Sequence, residues 1–219
     1  GSNERRRDHA QITEAEPFGI TKRMSKGTPG VRYAEVERET GETRVRVVLD
    51  LDSGSRQDVS TGIGFFDHML TLMAFHGRMN LGVQAEGDLE VDDHHTIEDV
   101  GIVMGRAIRQ ALAESDPIER YASTHTPMDE ALSLVALDIS GRGMLVFDAV
   151  FKRDRVGGMA TENVREFFRA LATNAGITLH IQKLAGDNDH HIAESIFKGV
   201  GRALCQATRR CERPHGTST

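Results

Sequence analysis

Apolar residues along this chain switch between two periods, and the switches come in the same order twice. From Thr43 to Leu51, Val45, Val47, Leu49 and Leu51 take every second position, the pattern of a half-buried strand. Ser53-Gly54-Ser55 supplies a turn, and residues 57–61 are expected to pair back. From Phe65 to Phe75 the apolar positions take helical spacing and stop before Gly77. Residues 79–84 read as a short strand with Leu81 and Val83 inward. Residues 94–113 read as a long amphipathic helix, with Asp92 or Asp93 as N-cap and Pro117 beyond its end. The second half follows suit, with strands at 132–139 and 144–151. A helix at 163–173 carries Val164, Phe167, Phe168 and Leu171 on one face. A strand at 177–182 and a helix at 190–208, capped by Asp189, complete it.

That order predicts an α+β fold built from an internally duplicated half-domain, strands-helix-strand-helix twice, with repeats at about 31–118 and 119–210 of one catalytic domain. Two such units packed through their helices leave the helices sandwiched between two mixed β-sheets. Residues 1–30 are polar and aperiodic, open on Gly1-Ser2 as a tag scar, and read as a flexible N-terminal tail; 211–219 read as a C-terminal tail.

Composition narrows the function. Of 219 residues, 38% are hydrophobic and 27% charged, as in soluble globular proteins. A formal charge of −6 argues against nucleic-acid binding but leaves open a small anion held by local cations. No apolar run has membrane-spanning length. Cys205 and Cys211 are too few for a disulfide framework and read as reduced thiols. The expected compartment is therefore cytoplasmic, or organellar if residues 1–30 are a trimmed targeting remnant.

One motif occurs twice. Asp92-Asp93-His94-His95-Thr96-Ile97-Glu98 returns 96 positions later as Asn188-Asp189-His190-His191-Ile192-Ala193-Glu194, and Gly105-Arg106-Ala107 returns as Gly201-Arg202-Ala203 at the same offset. On a helix, His94 and Glu98 share a face, as do His190 and Glu194. Imidazole plus carboxylate at that spacing binds divalent metal. Neighbouring helical residues point about 100° apart, so each doublet is expected to serve two ions, one imidazole to each. His68 stands on an otherwise apolar helix, where a hydrogen-bonded core histidine is the competing reading. Its counterpart in the second half is Glu166. The candidate ligand set is His68, His94, His95, Glu98, Glu166, His190, His191 and Glu194. Donors of nitrogen and oxygen without thiolate suit Mn, Fe or Zn, and the carboxylate share favours a harder ion. His76 either reaches substrate or complements its helix dipole. His180 on its strand stays open, and His9, His125 and His215 carry no supporting pattern.

Together with Phe65-Phe66-Asp67-His68-Met69-Leu70, Pro127-Met128-Asp129-Glu130-Ala131-Leu132, Asp138-Ile139-Ser140-Gly141-Arg142 and the continuation to Lys198, these motifs resemble the imidazoleglycerol-phosphate dehydratase family of histidine biosynthesis, over about residues 32–209. The resemblance implies dehydration of imidazole glycerol phosphate to imidazole acetol phosphate through an imidazolate and a diazafulvene-like intermediate. It also implies two Mn(II) per active site and a 24-subunit assembly with sites at subunit boundaries, with no nucleic-acid or membrane partner. The metal ligands carry over as above, except that many relatives have His where this chain has Glu166. Glu42 falls in the slot of a catalytic carboxylate, and Glu98, Glu194 and His76 join it as catalytic candidates. Arg120, Arg142 and Lys198 fall in the phosphate slots. Relatives add a Ser/Thr-Lys-Gly tail there, of which this sequence reaches Ser218. Two other readings stand beside the dehydratase: a non-catalytic module stapled by metal, and a metallohydrolase. The cations favour an anionic substrate, and the lack of thiolate weakens a purely structural zinc site.

Overall fold

The computed structural model describes residues 31–54 and 56–211; the expectations for 1–30, Ser55 and 212–219, Ser218 included, lie outside the described residues. The first half runs β1 (Tyr33–Glu39), β2 (Thr43–Asp50), β3 (Gln57–Ser60), α1 (Gly64–Gly77), β4 (Asn80–Gly87) and α2 (His94–Leu112). The second runs β5 (Tyr121–Met128), β6 (Ala131–Asp138), β7 (Met144–Asp148), a small hairpin of β8 (Arg155–Val156) and β9 (Met159–Ala160), α3 (Glu162–Ala175), β10 (Thr178–Ala185) and α4 (Asp189–Ala207). The strand orders are β1-β2-β4-β3 and β5-β6-β10-β7, so one topology occurs twice. In each sheet the last-named edge strand runs parallel to its neighbour while the other pairs are antiparallel. The fold is α+β with an internal duplication and mixed sheets, as the periodicity predicts.

Helices α1 and α2 cover one face of the first sheet, and α3 and α4 cover one face of the second. The two helical layers then meet crosswise: α1 packs on α4, and α2 on α3. Val45, Val47, Leu49, Leu81 and Val83 point inward and are at most 1% exposed, while Phe66, Phe167, Phe168 and Phe197 fill the space between the helical layers. Burial of aromatics on that scale dominates a core's energetics. The repeated glycines Gly105 and Gly201 let the crosswise helices touch. A Cβ on Gly105 would lie 2.6 Å from the Leu171 carbonyl, and one on Gly201 would collide with the Met73 carbonyl.

Several local expectations need correction. Strand β3 does not pair back on β2; it lies beyond β4, parallel to it. The strand expected to reach Phe151 leaves the sheet after Asp148. Strands β1 and β5 were not expected, because their inward positions are Ala34, Thr124 and Thr126 rather than large apolar residues. The caps differ in part. Asp93 occupies the N-cap position of α2 as expected but makes no side-chain cap bond, and Asp92 accepts the His94 N–H at 2.8 Å; the cap of α4 is Asn188 rather than Asp189, its side chain accepting from the His190 N–H at 2.9 Å. Asp93 and Asp189 turn elsewhere: their carboxylates are buried and taken by the segment before α3.

Candidate metal centre and its surroundings

On α4, His190, Glu194, Lys198 and Arg202 follow one another at intervals of four and line one face. Opposite them α1 presents His68 and, two turns on, His76. His68 Nε2 and His190 Nε2 lie 3.2 and 3.0 Å from the same oxygen, Oε1 of Glu194, and Lys198 Nζ donates to Oε2 at 2.5 Å. Glu194 is 6% exposed. Burial alone pushes its pKa up, but the hydrogen bonds from Lys198, His190 and His68 outweigh that and hold it at about 2. It is a carboxylate across the working range. One ligand atom each from His68, His190 and Glu194 lies within 4.8 Å of the others, a spacing a single ion can span. Among the described residues this is the group that gathers three such donors, and it draws on the second doublet alone.

The first doublet heads the pseudo-equivalent group at the α2–α3 crossing. His94 Nε2 lies 3.7 Å from Glu98 Oε2, and His94 Nδ1 is 3.1 Å from Asn163 Oδ1. Arg169 bridges the two acids, donating to Glu98 Oε1 and to Glu166 Oε2 at 2.7 Å each. A cavity of about 660 Å³ opens here, lined by His94, Asn163 and Glu166 and by the chain from Phe147 to Phe151. So the halves differ: where Phe65 meets the His190 ring, Asn163 meets His94.

The second member of each doublet meets a carboxylate from outside the helices. His95 Nδ1 faces Asp88 Oδ2 at 3.0 Å, and His191 Nδ1 faces Glu130 Oε2 at 2.7 Å. The Asp88 hydrogen bond raises the His95 pKa against a smaller loss to burial, helped by the charges of Asp88, Glu42 and Asp92. The Glu130 hydrogen bond does the same for His191, and Glu130 itself is held at about 2, first by His191 and then by the Asn188 N–H. In three of the four doublet imidazoles, then, Nδ1 is committed to a carboxylate or amide oxygen and Nε2 is left for another partner. That is the arrangement by which proteins orient a metal-binding imidazole. The residues present therefore fit a divalent ion of intermediate hardness.

The remaining candidates are spread out. Glu42 lies exposed in the β1–β2 turn, on the His95 side. Arg120, in a left-handed conformation with φ 70°, donates to both oxygens of Asp138 at 2.7 and 3.2 Å and lies over the Tyr121 ring. Arg142 is exposed after β6, its N–H bonded to Ser140 Oγ. Lys198 also reaches Met128 Sδ, at 3.2 Å. His76 has its pKa lowered by burial and by Lys198 and Arg202, against Glu194. His180 and His125 are exposed on the outer face of the second sheet, and the two thiols are free. Sequence reasoning missed Asp88, Glu130 and Asn163, which hold the imidazoles; only Glu130 stood inside a motif already singled out.

Comparison with known proteins identifies the family and its fold. The family model for imidazoleglycerol-phosphate dehydratase matches residues 61–204. The enzyme of that name from Acetivibrio thermocellus is 58% identical over 185 residues, covering 84% of this chain and 95% of that protein. The one from Azorhizobium caulinodans is 60% identical over 174 residues, 80% of this chain and 88% of that protein. The crystal structure from Staphylococcus aureus superposes with a TM-score of 0.75 at 38% identity, covering 82% of this chain and 99% of that one. The Pyrococcus furiosus structure, in complex with (S)-C348, gives 0.73 at 38%, covering 83% and 98%.

Proposed function

The chain belongs to the imidazoleglycerol-phosphate dehydratase family, a group of hydro-lyases of histidine biosynthesis, and from that premise we propose that it dehydrates imidazole glycerol phosphate at a site holding two divalent ions, Mn(II) in the first place. The observation that carries this reading is the convergence of His68 and His190 on one oxygen of a Glu194 kept ionised, with Lys198 on the other.

His68, His190 and Glu194 would hold one ion, and His94, Glu98 and Glu166 would serve the pseudo-equivalent position, with His95 and His191 turned outward as donors for ions shared with neighbouring copies. When bound, the metal supplies Lewis-acid polarisation of the imidazole ring nitrogens and a template for the ring. The chain's own groups do the rest. Glu42, exposed and with its charge felt at His95, would accept the proton from the carbon beside the ring. Lys198 and His76 line the groove in which a phosphate one or two turns from the metal would lie, and Arg120 and Arg142, which stand apart from that groove in a single chain, would add guanidinium groups to a phosphate only through the assembly of copies. Arg120 is pre-oriented by Asp138 rather than searching for its geometry.

The site we propose is completed by neighbouring copies in a 24-subunit assembly. In support, His95 and His191 stand outside the His68, His190 and Glu194 cluster, and Tyr121, Met144, Val146, Val150 and Leu184 leave apolar surface exposed on and beside the second sheet. The two free thiols fit a reducing cytoplasm. The test is to supply Mn(II) and imidazole glycerol phosphate and look for imidazole acetol phosphate. Full metal occupancy without that ketone overturns the reading.

A further inference from the structure

Beyond Lys198 the α1–α4 groove opens into a cavity of about 670 Å³ at the C-terminal ends of both helices, walled by Phe75, Arg78, Arg202, Gln206 and Arg209. We propose that Arg78, Arg202 and Arg209 form a second anion site, one turn of α4 past Lys198, which takes the phosphate group of a phosphorylated small molecule.

Three observations point there. First, none of the described residues lining the cavity is acidic, and no carboxylate partner is seen for any of the three guanidinium groups among the described residues. Elsewhere arginines are paired with carboxylates, as Arg32 is with Asp52, Arg120 with Asp138 and Arg155 with Asp93. Second, Arg78 closes α1 in the left-handed conformation, φ 52°, while the equivalent position closing α3 is Gly176, φ 71°. A side chain there costs roughly 1–2 kcal/mol relative to glycine, so the first half keeps a guanidinium where the backbone favours none. Third, the sign of the local field is positive. Two helix C-termini bring about half a negative charge each, against three full positive charges. The imidazole of His76 on the cavity wall registers that field, since Arg202 and Lys198 both disfavour its protonation, after burial itself.

The site is separate from the metal centre in residues and does not require metal. Its volume exceeds that of a lone phosphate ion, so a whole phosphorylated metabolite fits, with the exposed Phe75 ring as an apolar wall.

Inorganic phosphate titrated calorimetrically into the full chain tests the proposal. Arg78→Gly, which suits the backbone at that position, combined with Arg202→Gln should weaken one class of phosphate binding by about tenfold or more, the scale of losing two charge-assisted contacts. Arg209→Gln, beyond the last helix, should weaken the same class several-fold without risk to the fold. Lys198→Gln should leave that class intact and remove the other. If the double variant and Arg209→Gln both bind phosphate as the parent does, there is no such site. Should only Lys198→Gln fail to change binding, the phosphate reading of Lys198 falls and the arginine site stands.

Discussion

Asp93 and Asp189 stand at the same station before their two histidine doublets, and a single segment, residues 152–160, grips both. Asp189 accepts from the N–H groups of Lys152 and Arg153 at 3.0 and 2.8 Å; Asp93 accepts from the Ala160 N–H at 2.6 Å and from Arg155 at 3.2 Å. The repeat offset rises from 88, between Thr43 and Ala131, to 98, between Gly64 and Glu162, so this strap is the insertion that only the second half carries. It sets the start of α2 against the start of α4, and with it the four doublet imidazoles.

Replacing Asp189 by Asn should cost about 1–3 kcal/mol at neutral pH, because buried backbone donors lose a charged acceptor. Burial raises the Asp189 pKa, but the N–H groups of Lys152 and Arg153 outweigh it and hold the pKa below 3.8. A depressed folded pKa means that this stability is fully present above about 3.8 and is lost as pH falls through the folded value. Urea unfolding of the metal-free chain should therefore separate parent and variant at pH 7 and bring them together in acid. A gap that persists unchanged to low pH would place the effect in packing instead.

Arg169 neutralises Glu98 and Glu166 in the metal-free chain. Arg169→Gln should tighten Mn(II) at that position several-fold, since the ion no longer displaces a guanidinium group, while thermal stability changes by only about 0–1 kcal/mol, as for other exposed ion pairs. Competition against a chelator measures the first and calorimetry the second. Weaker metal binding in the variant would mean that Arg169 orients the two acids rather than competing for them.

His95 and His191 have raised pKa values, chiefly from Asp88 and Glu130. A group raised in the folded state stays protonated to higher pH, and a metal must compete with that proton. Mn(II) affinity should begin to fall above pH 6.5 on acidification. Glu130→Gln should lower the His191 pKa and move the fall to more acid pH, visible in an NMR titration of the imidazole. A fall that does not move with this substitution would take His191 out of the ligand set.

Gly105→Ala and Gly201→Ala each push a methyl group into the backbone of the crossing helix. Each should destabilise by roughly 1–3 kcal/mol or more, the cost of overpacking against atoms that cannot rotate away. Denaturant unfolding reads this directly, and Gly158→Ala, where nothing stands within 4 Å, is the control.

How legible the molecule was depended on where its signals lay. The four helices and the central strands carry Val, Leu, Ile and Phe at clear periods, and the doublets carry their chemistry within five residues, so both could be read from sequence. Strands β1 and β5 could not, since edge strands facing the helices with Ala34, Thr124 and Thr126 show no apolar alternation. The roles of Asp93 and Asp189 were misassigned because a carboxylate ahead of a helix reads as a cap, whereas here a distant loop claims it. Likewise Asp88, Asn163 and Arg169 gain their meaning from the crosswise packing of α2 on α3, which no local pattern announces.

That crosswise packing ties the fates of the repeats together. Severed near residue 118, each piece would present a sheet backed by two helices whose inner flanks are greasy and unsatisfied, and whose proper counterpart is the other piece. Expressed as separate polypeptides, they would be obligate companions, each insoluble alone and restored to shape only on meeting its sibling.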